Sequence, residues 1–467
     1  MNISIVGTGY VGLTTGVCLA WLGHEVTCVD TDASKIEALS RGESPIYEPF
    51  LPDLMAAARP RLSFQTSYAD AIAAADVVFI AVGTPSTQDG RPDLRYLASA
   101  AQASAEHLSE KFTVVVNKST VPIGSGNWVE SLIADAWSRT HGQKANGHYA
   151  IASNPEFLRE GSAIHDTLYP DRIVIGADNP RALEILQRLY RPILDQSFSA
   201  PAFLPRPESV TAVPLVSADL ASAELIKYAA NAFLALKISY INEIGALAER
   251  VGADIGHIAR GIGLDARIGP RFLQPGIGWG GSCFAKDTAA LVATAAEYGL
   301  DMRIVEAARD VNRRQRQVVV DRLLTELKIL KGRTIGILGL AFKPETDDLR
   351  DAPAVDIIRG LVQRGCRVKV HDPVALQRFR REQPGLDVTS CSSAELVAED
   401  ADALVLATEW AAYRDLEWAQ LRGAMRNPLV IDGRNHLDRS LLEALGFRYV
   451  SIPSAGYVMP RARSAAA

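Results

Sequence analysis

The chain opens on a pattern that few folds accommodate. A short apolar strand at 3–6 runs into Gly7-Thr-Gly9-Tyr-Val-Gly12, and an apolar helical pattern continues from there to Leu22. A G-x-G-x-x-G turn between a strand and a helix is typical of a dinucleotide-binding βαβ unit, because its glycines let the backbone approach a pyrophosphate closely. The alternative is a glycine-rich helix entry that binds no ligand.

The second strand of this unit, 25–29, ends in Asp30, 18 residues after the last glycine of the turn. An acidic residue at about this distance binds the ribose hydroxyls of a dinucleotide. Its charge favours NAD over NADP, because it would repel the additional phosphate. Lys35, one turn into the next helix, weakens that preference slightly.

Strand-like runs and helical patterns then alternate along the chain. Such alternation predicts a mostly parallel sheet with helices on both faces, whose ligands bind beyond the carboxyl ends of the strands. The strand-like runs are 77–82, 113–117, 149–153 and 172–175, and the helical patterns include 93–109 and 180–190.

A long helical pattern at 217–251 follows a proline-rich stretch, 197–214, that is typical of a linker. At ~1.5 Å per residue the helix would be roughly 50 Å long, enough to join two domains and to pack against a partner. Lys227 and Asn231 lie four residues apart and therefore share one of its faces. A lysine on a helix is, taken alone, far more often solvated than catalytic. A second helical block at 302–327 leads into the last part of the chain.

The opening design returns at 334–341 as a strand and a glycine turn, although the third glycine is missing. Strands at 367–371, 403–407 and 429–432 follow. Lys343 and Arg434 come at strand ends, where cations suit a phosphorylated ligand, although each alone is more often a surface charge. The sequence therefore predicts an α/β chain with two Rossmann-like, doubly wound parallel-sheet domains joined by a central helical domain with one long helix. The expected limits are 1–210, 211–330 and 331–467.

The glycine-rich stretch Gly276-Ile-Gly-Trp-Gly-Gly-Ser-Cys-Phe-Ala-Lys-Asp287 presents a cysteine at the start of a predicted helix, 283–298. The positive end of a helix and the neighbouring Lys286 favour the thiolate of Cys283, which is the form that attacks carbonyls. Asp287 lies one turn further on the same face. The pattern predicts a nucleophile with a carboxylate beside it. The alternative is a buried cysteine in a glycine-rich loop.

Composition narrows the functional classes. The 467 residues carry a net charge of −5, so nothing favours nucleic acid or an anionic membrane as a partner. Five cysteines without close pairs fit neither a disulfide framework nor a metal site, which predicts a reducing, cytoplasmic location. No apolar run approaches the ~18 residues of a membrane span, and the amino terminus predicts no signal peptide.

Four motifs resemble those of the nucleotide-sugar dehydrogenases, the UDP-glucose/GDP-mannose dehydrogenase family, and most closely its UDP-glucose branch. The resemblance runs from Gly7 to Arg434. The motifs are Gly280-Gly-Ser-Cys-Phe-Ala-Lys-Asp287, Asn154-Pro-Glu-Phe-Leu-Arg-Glu160, Lys227-Tyr-Ala-Ala-Asn231 and Ala341-Phe-Lys-Pro-Glu-Thr-Asp-Asp348. Departures are few: Ala285 replaces a frequent proline, and Phe50 replaces a usual glycine, in a loop that could bear on the sugar.

The resemblance implies a four-electron oxidation of a sugar alcohol to a carboxylate, with two hydrides passing to NAD and an aldehyde midway. Cys283 resembles the family nucleophile, which forms a thiohemiacetal and then a thioester. Lys227 and Asn231 would stabilise the charge on the C6 oxygen. Asp287 would assist as a base through water. Glu156 matches the acid/base group of thioester hydrolysis, with Thr120 placing a water nearby.

Residue matching also implies the binding sets. The NAD set comprises Gly7, Gly9, Tyr10, Val11, Gly12, Asp30, Lys35, Thr84, Thr120, Glu160, Lys286 and Arg350. The UDP-sugar set comprises Glu156, Phe157, Leu158, Glu160, Lys227, Asn231, Arg267, Gly276, Gly280, Phe342, Lys343 and Arg434. The family forms a dimer through its long helix, and Arg267 resembles an arginine lent to the neighbouring subunit. No metal is implied.

Three alternatives remain open at this stage. The same chemistry could act on another nucleotide sugar, such as GDP-mannose or a UDP-N-acetylhexosamine. A non-catalytic sensor could bind NAD and a UDP-sugar without turnover, although a pure binder has no need of the Cys283 thiol. A two-electron alcohol dehydrogenase would differ in stoichiometry, because the thioester route predicts two NADH per sugar.

Overall fold

The computed structural model describes residues 1–85, 87, 91–142 and 147–453. The chain divides into two compact units. The first comprises Met1–Ala230 and Ala289–Leu300, and the second comprises Asn231–Thr288 and the chain from Asp301 onward. Each unit contains one β-sheet with helices around it.

The first unit is built on an eight-stranded sheet in the order β3-β2-β1-β4-β5-β6-β7-β8. Neighbouring strands are parallel except β6 and β7, which are antiparallel. The strands are β1 (Asn2–Val6), β2 (Glu25–Val29), β3 (Leu62–Gln65), β4 (Val77–Ile80), β5 (Thr113–Asn117), β6 (Tyr149–Ser153), β7 (Ile173–Gly176) and β8 (Leu215–Ala218). The continuous apolar runs of β4 and β5 are buried along their whole length, as strands covered on both faces require.

Eight helices accompany this sheet in the described residues, with a short 3₁₀ turn at Arg59–Arg61. They are α1 (Tyr10–Trp21), α2 (Ala33–Ser40), α3 (Leu51–Ala58), α4 (Ala69–Ala73), α5 (Arg95–His107), α6 (Ser125–His141), α7 (Ala163–Leu168) and α8 (Pro180–Leu194). Their apolar faces cover the two sides of the sheet in two separate clusters. One cluster includes Ile5 and Val116, and the other includes Val78 and Val115.

Four helices follow in the middle of the chain, and the division between the units falls within two of them. They are α9 (Leu220–Val251), α10 (Ile255–Gly263), α11 (Phe284–Glu297) and α12 (Arg303–Leu327). The expected long helix exists, but its predicted start at residue 217 is wrong. Residues 215–218 instead pair with β7 as the edge strand β8, and Asp219 caps the helix by accepting a hydrogen bond from Ser222 N at 2.7 Å.

The second unit contains a six-stranded, entirely parallel sheet in the order β11-β10-β9-β12-β13-β14. Its strands are β9 (Thr334–Leu338), β10 (Arg367–His371), β11 (Thr389–Ser390), β12 (Ala403–Leu406), β13 (Leu429–Asp432) and β14 (Arg448–Ser451). Its helices are α13 (Pro353–Gln363), α14 (Leu376–Glu382), α15 (Ala394–Ala398), α16 (Trp418–Ala424) and α17 (Arg439–Ala444), with a 3₁₀ turn at Ala411–Tyr413. The predicted fold class, two Rossmann-like sheets and a central helical region, is confirmed.

The two sheets repeat one local design at the end of their central strand. Gly7 N donates to Val29 O at 2.8 Å, and Gly339 N donates to His371 O at 2.8 Å. Both glycines have positive φ, +98° and +94°. A Cβ on Gly7 would lie 2.7 Å from the carbonyl oxygen of Ala81, and a Cβ on Gly339 would overlap Thr408. Glycine is therefore required here by both conformation and space.

The repeated turns differ in how soon a helix begins after them. In the first sheet α1 begins three residues after Gly7, whereas in the second sheet fourteen residues separate β9 from α13. The second strand of each sheet ends in a carboxylate, Asp30 or Asp372, that accepts a hydrogen bond from the backbone of the turn. Asp372 is buried and also accepts from the indole of Trp410 at 3.2 Å.

Within the described part of the chain, no helix combines the length and the apolar character needed to cross a bilayer.

Gly339→Ala should destabilise the protein more than Gly332→Ala, a control at φ +80° where an added Cβ meets no atom within 4 Å. Both alanines adopt a left-handed backbone, which costs ~1–2 kcal/mol. Only the alanine at 339 must also displace Thr408, at a further cost of ~1–3 kcal/mol. Scanning calorimetry should give a lower unfolding midpoint for Gly339→Ala, and equal midpoints would contradict the crowding.

Candidate functional site

The first glycine turn leaves the start of α1 open. A Cβ on Gly12 would overlap the carbonyl oxygen of Gly7, so Gly12 is fixed by packing. Gly9 has no atom within 4 Å of the position of a Cβ, and it precedes the first residue of α1. The first turn of α1 carries no acidic side chain. Its N–H groups and the positive end of the helix can therefore face a pyrophosphate, which fits the predicted dinucleotide.

Asp30 lies beside this turn at the end of β2. Its carboxylate accepts from Thr8 N at 2.9 Å, Thr8 Oγ1 at 2.7 Å and Lys35 Nζ at 2.9 Å. Burial opposes ionisation, but these bonds and one from Asp32 N outweigh it and lower the pKa of Asp30 to about 2. Asp30 is thus an anion beside the turn, where its charge fits the predicted ribose contact, and Lys35 forms an ion pair with it.

Tyr10 connects the turn to the loop after β6 through a residue that the sequence did not single out. Its hydroxyl donates to Glu48, and the buried Glu48 carboxylate accepts from Gly161 N and Ala163 N, each at 2.6 Å. Glu160 directly precedes this contact. Glu48 could not be found from spacing, because it lies 38 residues from Tyr10 and more than 110 from Gly161.

Phe50, where the family resemblance leads us to expect a glycine, occupies a left-handed backbone conformation with φ +66°. Its ring stacks on Phe203 with the centroids 5.6 Å apart. Stacking offsets part of the cost of that conformation for a bulky residue.

The loops after β4 and β5 are tied together by two predicted residues. Thr84 Oγ1 donates to the carbonyl oxygen of Thr120 at 2.8 Å. Beyond Thr120, the N-terminus of α6 is held by Glu224, which accepts from Gly124 N at 2.7 Å and Gly126 N at 2.9 Å. Burial raises the pKa of Glu224 to about 7 against these backbone bonds. Glu224 was not predicted, because its position on α9 looks like an ordinary helical charge.

Glu156 and Lys227, predicted for the catalytic set, form a buried ion pair. Lys227 Nζ donates to Glu156 Oε1 at 2.9 Å and to the carbonyl oxygen of Glu156 at 2.6 Å. Leu158 N donates to the other carboxylate oxygen at 3.1 Å. Phe157 lies between two cations, with its ring centroid 5.3 Å from Lys227 Nζ and 3.7 Å from the Arg172 guanidinium. These residues of the loop after β6 are therefore fixed around the lysine.

Lys118 is a second buried lysine in this cluster, and its spacing in the sequence indicates no role for it. Its Nζ donates to Asn154 Oδ1 at 2.8 Å. Burial lowers the pKa of Lys118 to about 8, with the charge of Glu156 raising it and that of Lys227 lowering it further. Two buried lysines thus interact with one buried carboxylate, Lys227 by direct contact and Lys118 through its charge.

In the second unit, Cys283 immediately precedes α11, and its carbonyl oxygen accepts the first helical bond, from Asp287 N at 2.7 Å. Cys283 is only partly buried, whereas Cys18, Cys28, Cys366 and Cys391 are buried. Burial raises the pKa of the thiols of Cys28 to about 12 and Cys366 to about 11. Cys283 is therefore the most accessible of the five thiols.

Asp287 is fully buried and brings two other predicted residues together. It accepts from Asn231 Nδ2 at 2.6 Å and from Lys286 Nζ at 2.7 Å. The ammonium of Lys286 is thus engaged by the carboxylate. This arrangement fixes the Asn231 amide against the Asp287 carboxylate, and Asp287 itself lies one helical turn after Cys283.

The glycine loop, residues 276–281, is in contact with the carboxyl edge of the second sheet. A Cβ on Gly280 would lie 2.9 Å from Pro353, and one on Gly281 would lie 2.8 Å from the Phe342 ring. Arg434 donates to the carbonyl oxygens of Gly278 at 3.0 Å and Phe342 at 3.2 Å. The predicted substrate residues Gly276, Gly280, Phe342 and Arg434 therefore belong to one structural cluster, and Lys343 Nζ lies 5.8 Å from the Phe342 ring centroid.

Two predicted arginines have partners within their own segments. Arg350 forms a two-pronged pair with Asp348, with Nη2 to Oδ2 at 2.7 Å. Arg267 pairs with Asp265 at 2.6 Å, and its side chain is 89% exposed. Among the described residues, no group of His, Cys, Asp or Glu is placed to hold a metal ion.

Comparison with known proteins identifies the family. Three consecutive models match: residues 1–194 match the NAD binding domain of the UDP-glucose/GDP-mannose dehydrogenase family, residues 221–314 its central domain, and residues 336–439 its UDP binding domain. The chain belongs to the UDP-glucose/GDP-mannose dehydrogenase family. It is an NAD-dependent oxidoreductase, and the predicted cofactor, NAD, is confirmed.

Individual members of the UDP-glucose/GDP-mannose dehydrogenase family match over almost the full chain. A UDP-glucose 6-dehydrogenase of Rhizobium meliloti is 46% identical over 97% of this chain and 99% of its own length. The UDP-glucose 6-dehydrogenase TuaD of Bacillus subtilis is 44% identical over 97% of this chain and 93% of its own. The solved structure of a UDP-glucose dehydrogenase from Pyrobaculum islandicum is 40% identical, with a TM-score of 0.83 over 93% of this chain and 94% of that one.

Lys118→Met should gain stability in a pH-dependent way. The pKa of Lys118 in the folded chain, about 8, lies below the ~10.4 of an unfolded chain, so burial of the cation penalises the folded state at neutral pH and the penalty fades as the pH rises above 8. Relative to the unsubstituted protein, the variant should be about 2 kcal/mol more stable at neutral pH than near pH 10. Urea unfolding at both pH values, with the exposed Lys111→Met as control, measures the difference, and a pH-independent effect would contradict it.

Proposed function

We propose that this chain catalyses the NAD-dependent, four-electron oxidation of UDP-glucose to UDP-glucuronate through a covalent intermediate on Cys283. The observation that carries the proposal is the placement of the partly exposed Cys283 at the start of α11, ahead of a buried Asp287–Asn231 pair. The nearly full-length similarity to enzymes named UDP-glucose 6-dehydrogenase supports UDP-glucose as the substrate.

The nucleophilic step follows from the chemistry of the thiol. Bound NAD supplies a hydride acceptor for each of two oxidations. Once C6 of the sugar is an aldehyde, the Cys283 thiolate adds to it and forms a thiohemiacetal. Loss of the second hydride leaves a thioester, which water cleaves to the carboxylate and the free thiol. The start of α11 favours the thiolate in the first of these steps and accommodates it as the leaving group in the last.

Lys227 and Asn231 are proposed to stabilise the oxygen at C6. The Lys227 ammonium is held in place by a buried ion pair with Glu156. The Asn231 amide is oriented by Asp287, so its donors have a fixed direction before substrate arrives. Donors fixed in advance stabilise a developing oxyanion without reorganisation.

Glu156 is proposed as the acid/base group of thioester hydrolysis, with Thr120 holding the water and Asp287 assisting at the cysteine. Glu156 already bridges Lys227 and Leu158 N, which fixes the direction of its carboxylate. The remaining residues of the NAD and UDP-sugar sets are proposed to bind those ligands as expected from the sequence. We retain 1–210, 211–330 and 331–467 as the domain limits, and the cytoplasm as the location.

A homodimer is proposed in which Arg267 acts on the neighbouring subunit. The support is twofold. The Arg267 side chain is 89% exposed. The long helix α9 also exposes a series of large apolar side chains that a partner could cover, namely Phe233, Tyr240, Leu247 and Val251.

The stoichiometry distinguishes the proposed reaction from a two-electron oxidation. The unsubstituted protein should form two NADH per UDP-glucose, and Cys283→Ser should lower the rate of acid formation more than about 100-fold because the nucleophile is lost. Absorbance of NADH and mass spectrometry of the sugar product measure both, with the buried Cys391→Ser as control. One NADH per sugar would contradict the thioester route.

Turnover of GDP-mannose or a UDP-N-acetylhexosamine but not UDP-glucose would reassign the substrate. Binding of NAD and a UDP-sugar without NADH formation would indicate a sensor.

Mixing two inactive variants tests whether Arg267 acts across the dimer. Arg267→Ala supplies Cys283, and Cys283→Ala supplies Arg267, so a mixed dimer contains one complete site if the arginine acts on its neighbour. Subunit exchange should then restore activity that neither parent shows, measured as NADH formation. A mixture of Arg260→Ala with Cys283→Ala is the control. It measures how the loss of a different exposed arginine affects subunit exchange and activity. No restoration in dimers verified by mass spectrometry would place Arg267 in its own subunit's site.

A further inference from the structure

The glycine loop is held by a row of buried amides on α12. Trp279 N donates to Asn312 Oδ1 at 2.8 Å, and Asn312 Nδ2 donates back to Trp279 O at 2.9 Å. Gln315 Nε2 donates to Gly276 O at 2.7 Å. Asn312 and Gln315 are three residues apart and share one face of the helix. The loop is thereby held at Gly276 and at Trp279 by side chains that the sequence did not point to.

We propose that Asn312 and Gln315 are positioning residues that fix the loop ahead of Cys283 and so set the placement of the nucleophile. The proposal rests on the proposed function, in which Cys283 attacks the substrate. Both amides bond to the main chain of the loop, so their effect on the thiol passes through that main chain.

The backbone of the loop packs directly against the Asn312 amide at Gly278. Gly278 has φ +97°, and a Cβ on it would lie 2.5 Å from Asn312 Oδ1. The space of a side chain at 278 is therefore taken by the asparagine amide. A glycine-rich segment has many backbone conformations available, and its buried N–H and C=O groups need partners. The two hydrogen bonds to the Asn312 amide satisfy both the N–H and the C=O of Trp279, and they favour one backbone conformation of the loop.

The path from Asn312 to the cysteine is short. The Trp279 indole donates to Ser239 Oγ at 3.0 Å, and Ser239 Oγ donates to Ala308 O at 2.7 Å. The Trp279 ring meets the ring of Phe284 edge to face, with centroids 5.9 Å apart. Phe284 is the first residue of α11 and follows Cys283 directly. Fixing Trp279 therefore fixes Phe284, the residue on which α11 begins and which directly follows the nucleophile.

A third residue of α12 connects the same carbonyl to the start of α13. Arg316 Nη2 donates to Trp279 O at 3.0 Å, and Arg316 Nη1 pairs with Asp351 at 2.7 Å and Asp356 at 2.6 Å. The Trp279 carbonyl thus has two donors, one neutral and one charged. The neutral amide of Asn312 can be altered while the charged tie of Arg316 remains, which makes Asn312 the better position for a test.

The experiment compares Asn312→Leu and Gln315→Leu with a control, Asn427→Leu, which removes a side-chain bond to Asp402 O elsewhere in the same unit. The first readout is the pH midpoint of Cys283 alkylation by iodoacetamide, followed by mass spectrometry without substrate. The second is the split between kcat and KM for NADH formation from UDP-glucose.

Asn312→Leu should raise the pH midpoint of alkylation by about half a pH unit or more. The thiol would move away from the positive end of α11, which favours the thiolate. It should lower kcat roughly tenfold or more, since small displacements of a reacting group reduce the rate strongly. Gln315→Leu should act in the same direction and less. The control should leave the midpoint and kcat within twofold of the unsubstituted protein.

An unchanged midpoint together with kcat within twofold in Asn312→Leu would overturn the proposal. If Asn312→Leu does not fold, the same two outcomes in Gln315→Leu, which loses one bond, decide it. Alkylation of Cys283 needs no sugar substrate. The positioning role of Asn312 and Gln315 can therefore be tested even if the proposed oxidation of UDP-glucose is wrong. Absence of NADH from UDP-glucose in the unsubstituted protein would reject the proposed function, while the alkylation midpoints would still decide the positioning role.

Discussion

Buried charge is the constraint around which the candidate residues of each unit are arranged. In the first unit, Glu156 forms an ion pair with Lys227, and its negative charge also acts on the buried Lys118. In the second, Asp287 is fully buried and is shared between Lys286 and Asn231. An unpaired ion in such surroundings would be neutralised or would unfold its environment. The catalytic candidates therefore include two pairs of structural partners, Glu156 with Lys227 and Asp287 with Asn231, whose geometry is defined before any ligand binds.

The sequence predicted the features that are local along the chain. The turn at Gly7, the carboxylate at Asp30 and the cysteine at the start of α11 each follow from spacing within about thirty residues, where backbone geometry leaves little freedom. The long helix was also predicted, but not its start, because pairing with β7 turned residues 215–218 into an edge strand. A tertiary contact there outweighed a helical pattern.

The features that the sequence did not reveal depend on side chains that meet over long separations. Glu48, Lys118 and Glu224 each contact groups more than 30 residues away, and each resembles an ordinary polar residue in its own segment. Asn312 has the same character: its position on α12 indicates only a polar helical residue, while its bonds run to Trp279, 33 residues earlier. Burial, which gives these groups their importance, cannot be read from spacing.

The two glycine turns differ in how soon a helix follows them, and this difference bears on which ligand each turn can bind. Both halves provide the same strand and turn, and NAD and a UDP-sugar both carry a pyrophosphate and ribose. Only the first turn leads at once into a helix, with an acidic residue still accessible beside it. In the second, the helix is distant and the corresponding carboxylate is enclosed beneath Trp410. The two turns therefore offer a pyrophosphate and ribose different surroundings, which disfavours cross-occupancy, the binding of one ligand where the other belongs.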